Sequence, residues 1–320
     1  MALFSKLQGG YEDLWKSIIR PPREEYEVSA LGPASFILRE MLYQRTDLEL
    51  TNDRGQTLQC SHFEPIAAQR PCHQLPCVVY LHANCSSRVE ALMLLGPLLP
   101  VGITVFAFDF AGCGMSEGEY VSLGWFERDD LACVVDYLRR TGKVSYIGLW
   151  GRSMGAVTAL LHAHRDHSIA GLVLDSPFSS LYQLAGELAN EYAHLPNFVL
   201  SSALGFLRKT IQQKANFDIK DLSPLSHAAD TFMPALFGAA KQDSFISPSH
   251  SEALFARYGG EKHLIRFEGD HNTQRPASFL DSAGTFFYNA LMCEQLPETV
   301  PPADEEEELR KALQLSLQDH

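Results

Sequence analysis

The stretch YIGLWGRSMGAVTALL, residues 146–161, decides how the chain is read. An apolar run stops at Gly151-Arg152-Ser153-Met154-Gly155, and a helical pattern begins at once. A serine between two glycines at such a junction fits a nucleophile elbow. There the strand-to-helix turn is strained, and the glycines relieve the crowding around it. The plainer alternative is a small-residue turn that joins a strand to a helix. Gly-x-Ser-x-Gly alone occurs often by chance, so the rest of the chain has to discriminate.

A serine hydroxyl becomes a nucleophile only with a base to take its proton and a third group to orient that base. On an elbow fold the partners follow in the order Ser, then Asp or Glu, then His. MPALFGAA, residues 233–240, runs into Lys241-Gln242-Asp243, which places Asp243 at the C-terminal end of a strand. Open α/β sheets bind ligands at that end. HLIRF, residues 263–267, leads into Glu268-Gly269-Asp270-His271-Asn272. His271 is the expected base for Ser153, and Asp243 the acid that fixes its tautomer. Asp175, after IAGLVL (169–174), is the competing acid. Asp270 is adjacent to the histidine and badly placed to orient its ring. The tetrahedral oxyanion needs preorganised donors. One is the Met154 amide, at a helix N-terminus. The other falls in the loop His82-Ala83-Asn84-Cys85-Ser86-Ser87, where Asn84 is favoured and Cys85 is the alternative.

The surrounding pattern supports an elbow. Short continuous apolar runs at Cys77–Leu81, Ile103–Phe108, Val144–Trp150, Ile169–Leu174 and Met233–Phe237, with a less uniform one at His263–Phe267, read as strands buried on both faces. Helical stretches at Arg88–Leu99, Leu123–Arg140, Met154–His164, Pro248–Tyr258 and Pro276–Leu291 lie between and after them. Alternation of this kind predicts an α/β class with a mainly parallel sheet and flanking helices. Asp47–Thr51 and Thr57–His62 flank Asn52-Asp53-Arg54-Gly55 and predict an antiparallel hairpin at one edge. Residues 176–230 interrupt the alternation with a long helical pattern, expected to form a cap over the site.

The expected organisation is an amphipathic segment over 1–45, a catalytic domain over 46–293, a proline-containing linker over 294–303 and a tail helix over 304–320. In the first segment Leu3, Phe4, Leu7, Tyr11, Leu14, Trp15, Ile18 and Ile19 recur at helical spacing until Pro21-Pro22. That stripe is expected to dock on the main domain. A peripheral membrane contact is the alternative, helped by Lys6, Lys16, Arg20 and Arg23.

The 320 residues carry a net charge of −13, which argues against a general nucleic-acid binder. No apolar run reaches the roughly 18–20 residues of a membrane span, and the start lacks a signal-peptide pattern. Seven scattered cysteines without CxxC pairs fit reduced thiols in the cytosol. His162, His164 and His167 form a string near a helix end, expected to be solvated rather than metal-ligating. The glycine-rich Phe108–Ser116 does not open a helix, so no dinucleotide site is expected. No cofactor is implied.

Taken together, LHANCSS, FDFAGCGMSEG, GRSMGA, LDSPFSS, the Asp243 loop and GDHN resemble the α/β-hydrolase fold from about Arg45 to Leu291. IIRPPREEY, residues 18–26, is similar to the start of plant and protist members related to serine-aminopeptidase-like and depalmitoylase-like branches. The resemblance implies Ser153, Asp243 and His271 as the triad, and the Met154 and Asn84 amides as oxyanion donors. It also implies cleavage of esters or thioesters, with peptide cleavage as an alternative. Relatives read His-Gly-Asn where this chain has His82-Ala83-Asn84, and a Cβ there constrains the loop. In the tail, Leu309, Ala312, Leu313 and Ser316 lie along one helical face behind Glu305–Glu308. This resembles a ubiquitin-interacting motif and implies ubiquitin as a partner. A catalytically silent scaffold for ubiquitinated partners is the competing functional class.

Overall fold

In the computed structural model the described residues are 12, 14–193 and 197–297. The expected tail helix and the Leu3–Tyr11 part of the N-terminal stripe lie outside them. A nine-stranded sheet runs in the order β1-β2-β3-β5-β4-β6-β7-β8-β9. Its strands are β1 (Ser35–Leu38), β2 (Met41–Thr51), β3 (Thr57–Pro65), β4 (Leu75–Leu81), β5 (Thr104–Phe108), β6 (Val144–Arg152), β7 (Gly171–Asp175), β8 (Ala235–Ala240) and β9 (Lys262–Phe267). Strands β4 to β9 pair in parallel, whereas β1, β2 and β3 form the antiparallel edge. All of the expected strands are present.

β1 had no signal in the sequence. It turns into β2 through Arg39 and Glu40, both at positive φ, where Asn-Gly would have advertised the hairpin. The helix expected over Arg88–Leu99 is broken. A 3₁₀ stretch, Arg88–Leu94, is followed by the single turn α2 (Leu95–Leu98). Pro97 and Pro100 each remove a backbone donor there. The next helix, α3 (Glu127–Thr141), starts later than its apolar pattern does. Glu127 reaches back to accept from the Ser122 and Gly124 amides, which holds the preceding turn outside the helix.

α4 (Met154–Arg165) is buried along most of its length, and with α3 it covers one face of the sheet. α8 (Ala277–Ala290) helps cover the other, packing Phe279, Ala283 and Phe287 near Trp150. α7 (Pro248–Arg257) joins β8 to β9. The long helical segment resolves into α5 (Leu181–Ala193) and α6 (Asn197–Ala215). Upstream of the sheet, residues 14–19 are helical (α1), with Trp15 and Ile19 buried in the core. The described half of the stripe is therefore docked.

One expectation changes, and one loop acquires a role. His162 is not solvated but buried, 3.6 Å from Asp166, because α4 is wrapped by neighbours on most sides. The glycine-rich Phe108–Ser116 wraps a buried carboxylate, Asp109, which accepts from the Arg88 and Met115 amides and the Tyr26 hydroxyl. A Cβ at Gly114 would lie 2.4 Å from that carboxylate, hence the glycine. Arg23 donates to the carbonyls of Ser116 and Gly118 in the same loop. The RPPREEY strap and the glycine-rich loop are thus two halves of one contact.

Candidate functional site

Gly151 and Gly155 are set by close approach. A Cβ on Gly151 would sit 2.1 Å from the Gly155 carbonyl oxygen, and one on Gly155 would sit 2.0 Å from the Leu81 carbonyl oxygen. Backbone cannot yield as a flexible side chain would, so β4, β6 and α4 meet only with hydrogen at both positions. Gly155→Ala is expected to lower stability by about 1–3 kcal/mol or more, read as a shift of the urea midpoint. Between these glycines Ser153 adopts φ 53°, ψ −117°, a sparsely populated conformation that costs a few kcal/mol in most settings. The Asp175 carbonyl, accepting from the Ser153 amide at 2.8 Å, helps to hold it.

The strand ends bring the three expected side chains together. His271 Nε2 lies 3.1 Å from Ser153 Oγ, and His271 Nδ1 lies 2.7 Å from Asp243 Oδ2. All three residues are at most 8% exposed, so little water competes for these contacts. Asp243 Oδ1 also accepts from the Phe245 and Ile246 amides at 3.0 and 2.7 Å. A carboxylate that is fully engaged as an acceptor requires Nδ1 to carry the imidazole proton. Nε2 is then free to accept from the serine hydroxyl.

The competing acids have other tasks. Asp175 is buried and bound by Arg275 through two contacts of 2.6 and 3.0 Å. Asp270 accepts from the Ser244 and His271 amides, both at 2.7 Å, and these contacts hold its pKa below the usual carboxylate value. It shapes the loop that presents His271 without touching the ring nitrogens.

The oxyanion side is partly resolved by elimination. Met154 is the first residue of α4, so its amide has no intrahelical acceptor. In the facing loop the Ala83 amide donates to Glu90, the Cys85 amide to the Asn84 side chain, and the Ser86 amide to the Ala83 carbonyl. Of these four successive amides, only that of Asn84 has no protein acceptor among the described residues. Ala83 is not among the non-glycine residues with positive φ, so its methyl group introduces no backbone strain. The left-handed residue of the loop is Cys85. His82, fully buried, pins the turn: its Nδ1 meets the Ala83 carbonyl at 2.7 Å and its Nε2 accepts from the Phe110 amide at 3.1 Å.

A clamp behind these loops has no local sequence pattern to announce it. Arg152 donates to Glu90 at 2.5 Å and to the His271 carbonyl at 2.6 Å, while the other oxygen of Glu90 accepts from the Ala83 amide. One nearly buried ion pair therefore ties the oxyanion loop, the elbow and the histidine loop together. Its only sequence signal is the position of Arg152 immediately before the nucleophile. Arg152→Met keeps the bulk but unties all three. A displacement near 1 Å can cost about 100-fold in rate. We expect kcat to fall roughly 10–100-fold with KM nearly unchanged in steady-state ester hydrolysis.

A cavity of about 360 Å³ opens at Ser153. It is lined by apolar residues of α5 and α6, by Phe178, Phe245 and Ile246, and, on one side, by Leu14, Ser17 and Ile18 of α1. Phe245 also stacks obliquely on His271 with ring centroids 5.2 Å apart. Cys85, in the oxyanion loop, is exposed as a residue, but partial desolvation of its thiol raises the pKa, so it is no ready nucleophile. No group of three or more metal-ligating side chains converges among the described residues. No helix among them is long and apolar enough to cross a membrane.

Comparison with known proteins agrees with the fold. The family model described as serine aminopeptidase, S33, matches residues 77–223. The chain is 33% identical to the uncharacterized protein YqkD of Bacillus subtilis over 234 residues, 71% of this chain and 73% of that protein. It is 34% identical to human monoglyceride lipase over 132 residues, 40% of this chain and 42% of the lipase. Among solved structures, the Pyrococcus furiosus esterase Pf2001 superposes with a TM-score of 0.64 at 22% identity, covering 84% of this chain and 99% of the esterase.

Proposed function

Since the chain belongs to the α/β-hydrolase family described as serine aminopeptidase, S33, we propose that it is a serine hydrolase acting on carboxylic esters or thioesters. The observation that carries this reading is the unbroken Ser153–His271–Asp243 contact chain at the mouth of an apolar cavity. Ser153 Oγ attacks the acyl carbonyl as His271 Nε2 takes its proton. The oxyanion is held by the Met154 and Asn84 amides, each donor being worth roughly 3–4 kcal/mol of transition-state stabilisation. His271 protonates the leaving alcohol or thiol. Water, deprotonated by the same nitrogen, then releases the acid and regenerates the serine. No step needs a metal or an organic cofactor.

Esters and thioesters are favoured over peptides by the lining. The cavity offers hydrocarbon and few polar groups, whereas an aminopeptidase needs an acidic group to receive the substrate ammonium. Among the described residues that line the cavity there is no Asp or Glu. The name of the lipase relative points the same way. The test is a parallel assay of p-nitrophenyl esters, acyl thioesters and aminoacyl amides. Turnover confined to the amides would reverse the assignment.

The tail is proposed to bind ubiquitin through Leu309, Ala312, Leu313 and Ser316, as helix-in-groove recognition with a Kd on the order of 0.1 mM or weaker. Support comes from the sequence pattern alone. In an NMR titration of labelled monoubiquitin with the full chain, shifts on the apolar patch should appear and should vanish with Ala312→Arg. Identical shifts with both chains, or none with either, would remove the proposal. A cytoplasmic setting is proposed from the reduced cysteines, and peripheral membrane contact remains an expectation for the N-terminal stripe.

A further inference from the structure

We propose that α1, which lies upstream of the sheet, is the wall that sets how long an acyl chain the site accepts, with Ser17 and Leu14 as the specificity-determining positions. The proposal rests on the serine-hydrolase reading for its chemistry, but on the cavity alone for its geometry. The body of the fold supplies Ser153, Met154 and the α5–α6 side of the cavity, while α1 supplies Leu14, Ser17 and Ile18 from outside the sheet. Without that helix the cavity would be open along one side.

α1 is held as a fixed wall rather than a loose flap. Trp15 and Ile19 are anchored in the core, and the Ile19 carbonyl accepts from the Val121 amide at 2.8 Å. Arg20 pairs with Glu119 at 3.0 Å, and Arg23 bridges the Ser116 and Gly118 carbonyls. On the other side, the Lys214 ammonium of α6 lies 4.4 Å above the Trp15 ring, linking α1 to the helix that forms the opposite wall. Position 17 carries a serine, yet its hydroxyl donates to the Leu14 carbonyl at 2.7 Å. Its single donor proton is thereby spent within α1, and its neighbours on the wall, Leu14 and Ile18, are apolar, so this wall favours hydrocarbon. The ligand class that fits is an unbranched acyl chain, with its carbonyl at Ser153 and its tail running between α1 and the α5–α6 pair.

Burying each added methylene should multiply kcat/KM about fourfold until the wall is met. Ser17→Trp and Leu14→Trp, made in the full chain, place an indole in that path from the exposed face of α1. The test has two arms. In the first, cis-parinaric acid is titrated into the Ser153→Ala chain and into the same chain carrying each tryptophan, with thermal midpoints checked. Binding should weaken at least tenfold with either tryptophan. In the second, p-nitrophenyl esters from acetyl to dodecanoyl are compared, and the decanoyl-to-acetyl ratio of kcat/KM should fall at least tenfold. Native fatty-acid affinity and a native chain-length profile in both variants would overturn the proposal, as would no binding by the parent chain. If the first arm succeeds while the native protein turns over no ester, the wall stands and the serine-hydrolase reading fails.

Discussion

Replacing Ser153 by alanine is expected to lower kcat on any ester that the native protein turns over by about 10⁶-fold, the scale seen when the serine is removed from a triad of this kind. The methyl group has no proton to give and no lone pair to form an acyl-enzyme, so the pathway is lost rather than slowed. The residual rate over water, about 10³–10⁴-fold, would come from binding and the oxyanion donors, which the substitution leaves in place. The fold should persist. The elbow conformation is fixed by the glycines on either side and by the amide contact to Asp175, none of which involves Oγ. Kinetics alongside thermal unfolding of the same preparation checks both halves of this expectation.

The second large effect separates two buried acids. Asp243→Asn should cut kcat by about 10⁴-fold through the tautomer of His271. Oδ1 of residue 243 faces two amide donors, from Phe245 and Ile246, so the asparagine must keep its oxygen there. Its NH₂ group then points at His271 Nδ1 and donates, which moves the imidazole proton to Nε2. The base that faces Ser153 is thereby lost without any change in shape. Asp175→Asn acts on stability instead. It leaves the Arg275 guanidinium, 1% exposed, without its anion, and breaking such a pair costs about 3–5 kcal/mol. The pattern to look for is a slow but stable Asp243→Asn protein and an unstable Asp175→Asn protein.

Much of the site could be read from the chain because each of its parts is announced by a strand end. An apolar run followed at once by a small-residue turn, or by an acid or a histidine, locates Ser153, Asp243 and His271 without any knowledge of distances. The sequence pattern favours Asp243 over Asp175, but the reason lies in the coordinates. Both follow buried strands, and only the structure shows Arg275, a hundred residues away in sequence, occupying the first. The Arg152–Glu90 clamp was equally hidden, since it joins loops 62 residues apart and no local pattern marks a tertiary ion pair. The Arg39-Glu40 turn and the broken 88–99 helix show the opposite limit. There backbone conformation is set by the sheet edge and by prolines, against the local apolar pattern. The burial of Trp15 and Ile19 was legible as a stripe, but its position beside the cavity was not.

The most direct measurement is active-site labelling of the full chain with a fluorophosphonate probe, followed by peptide mapping. Acid and base together should make one hydroxyl reactive, so the label should appear on the peptide containing Ser153. It should vanish in Ser153→Ala and slow markedly in His271→Ala. An unlabelled native protein, or Ser153→Ala labelled as fully as the native chain, would contradict the account.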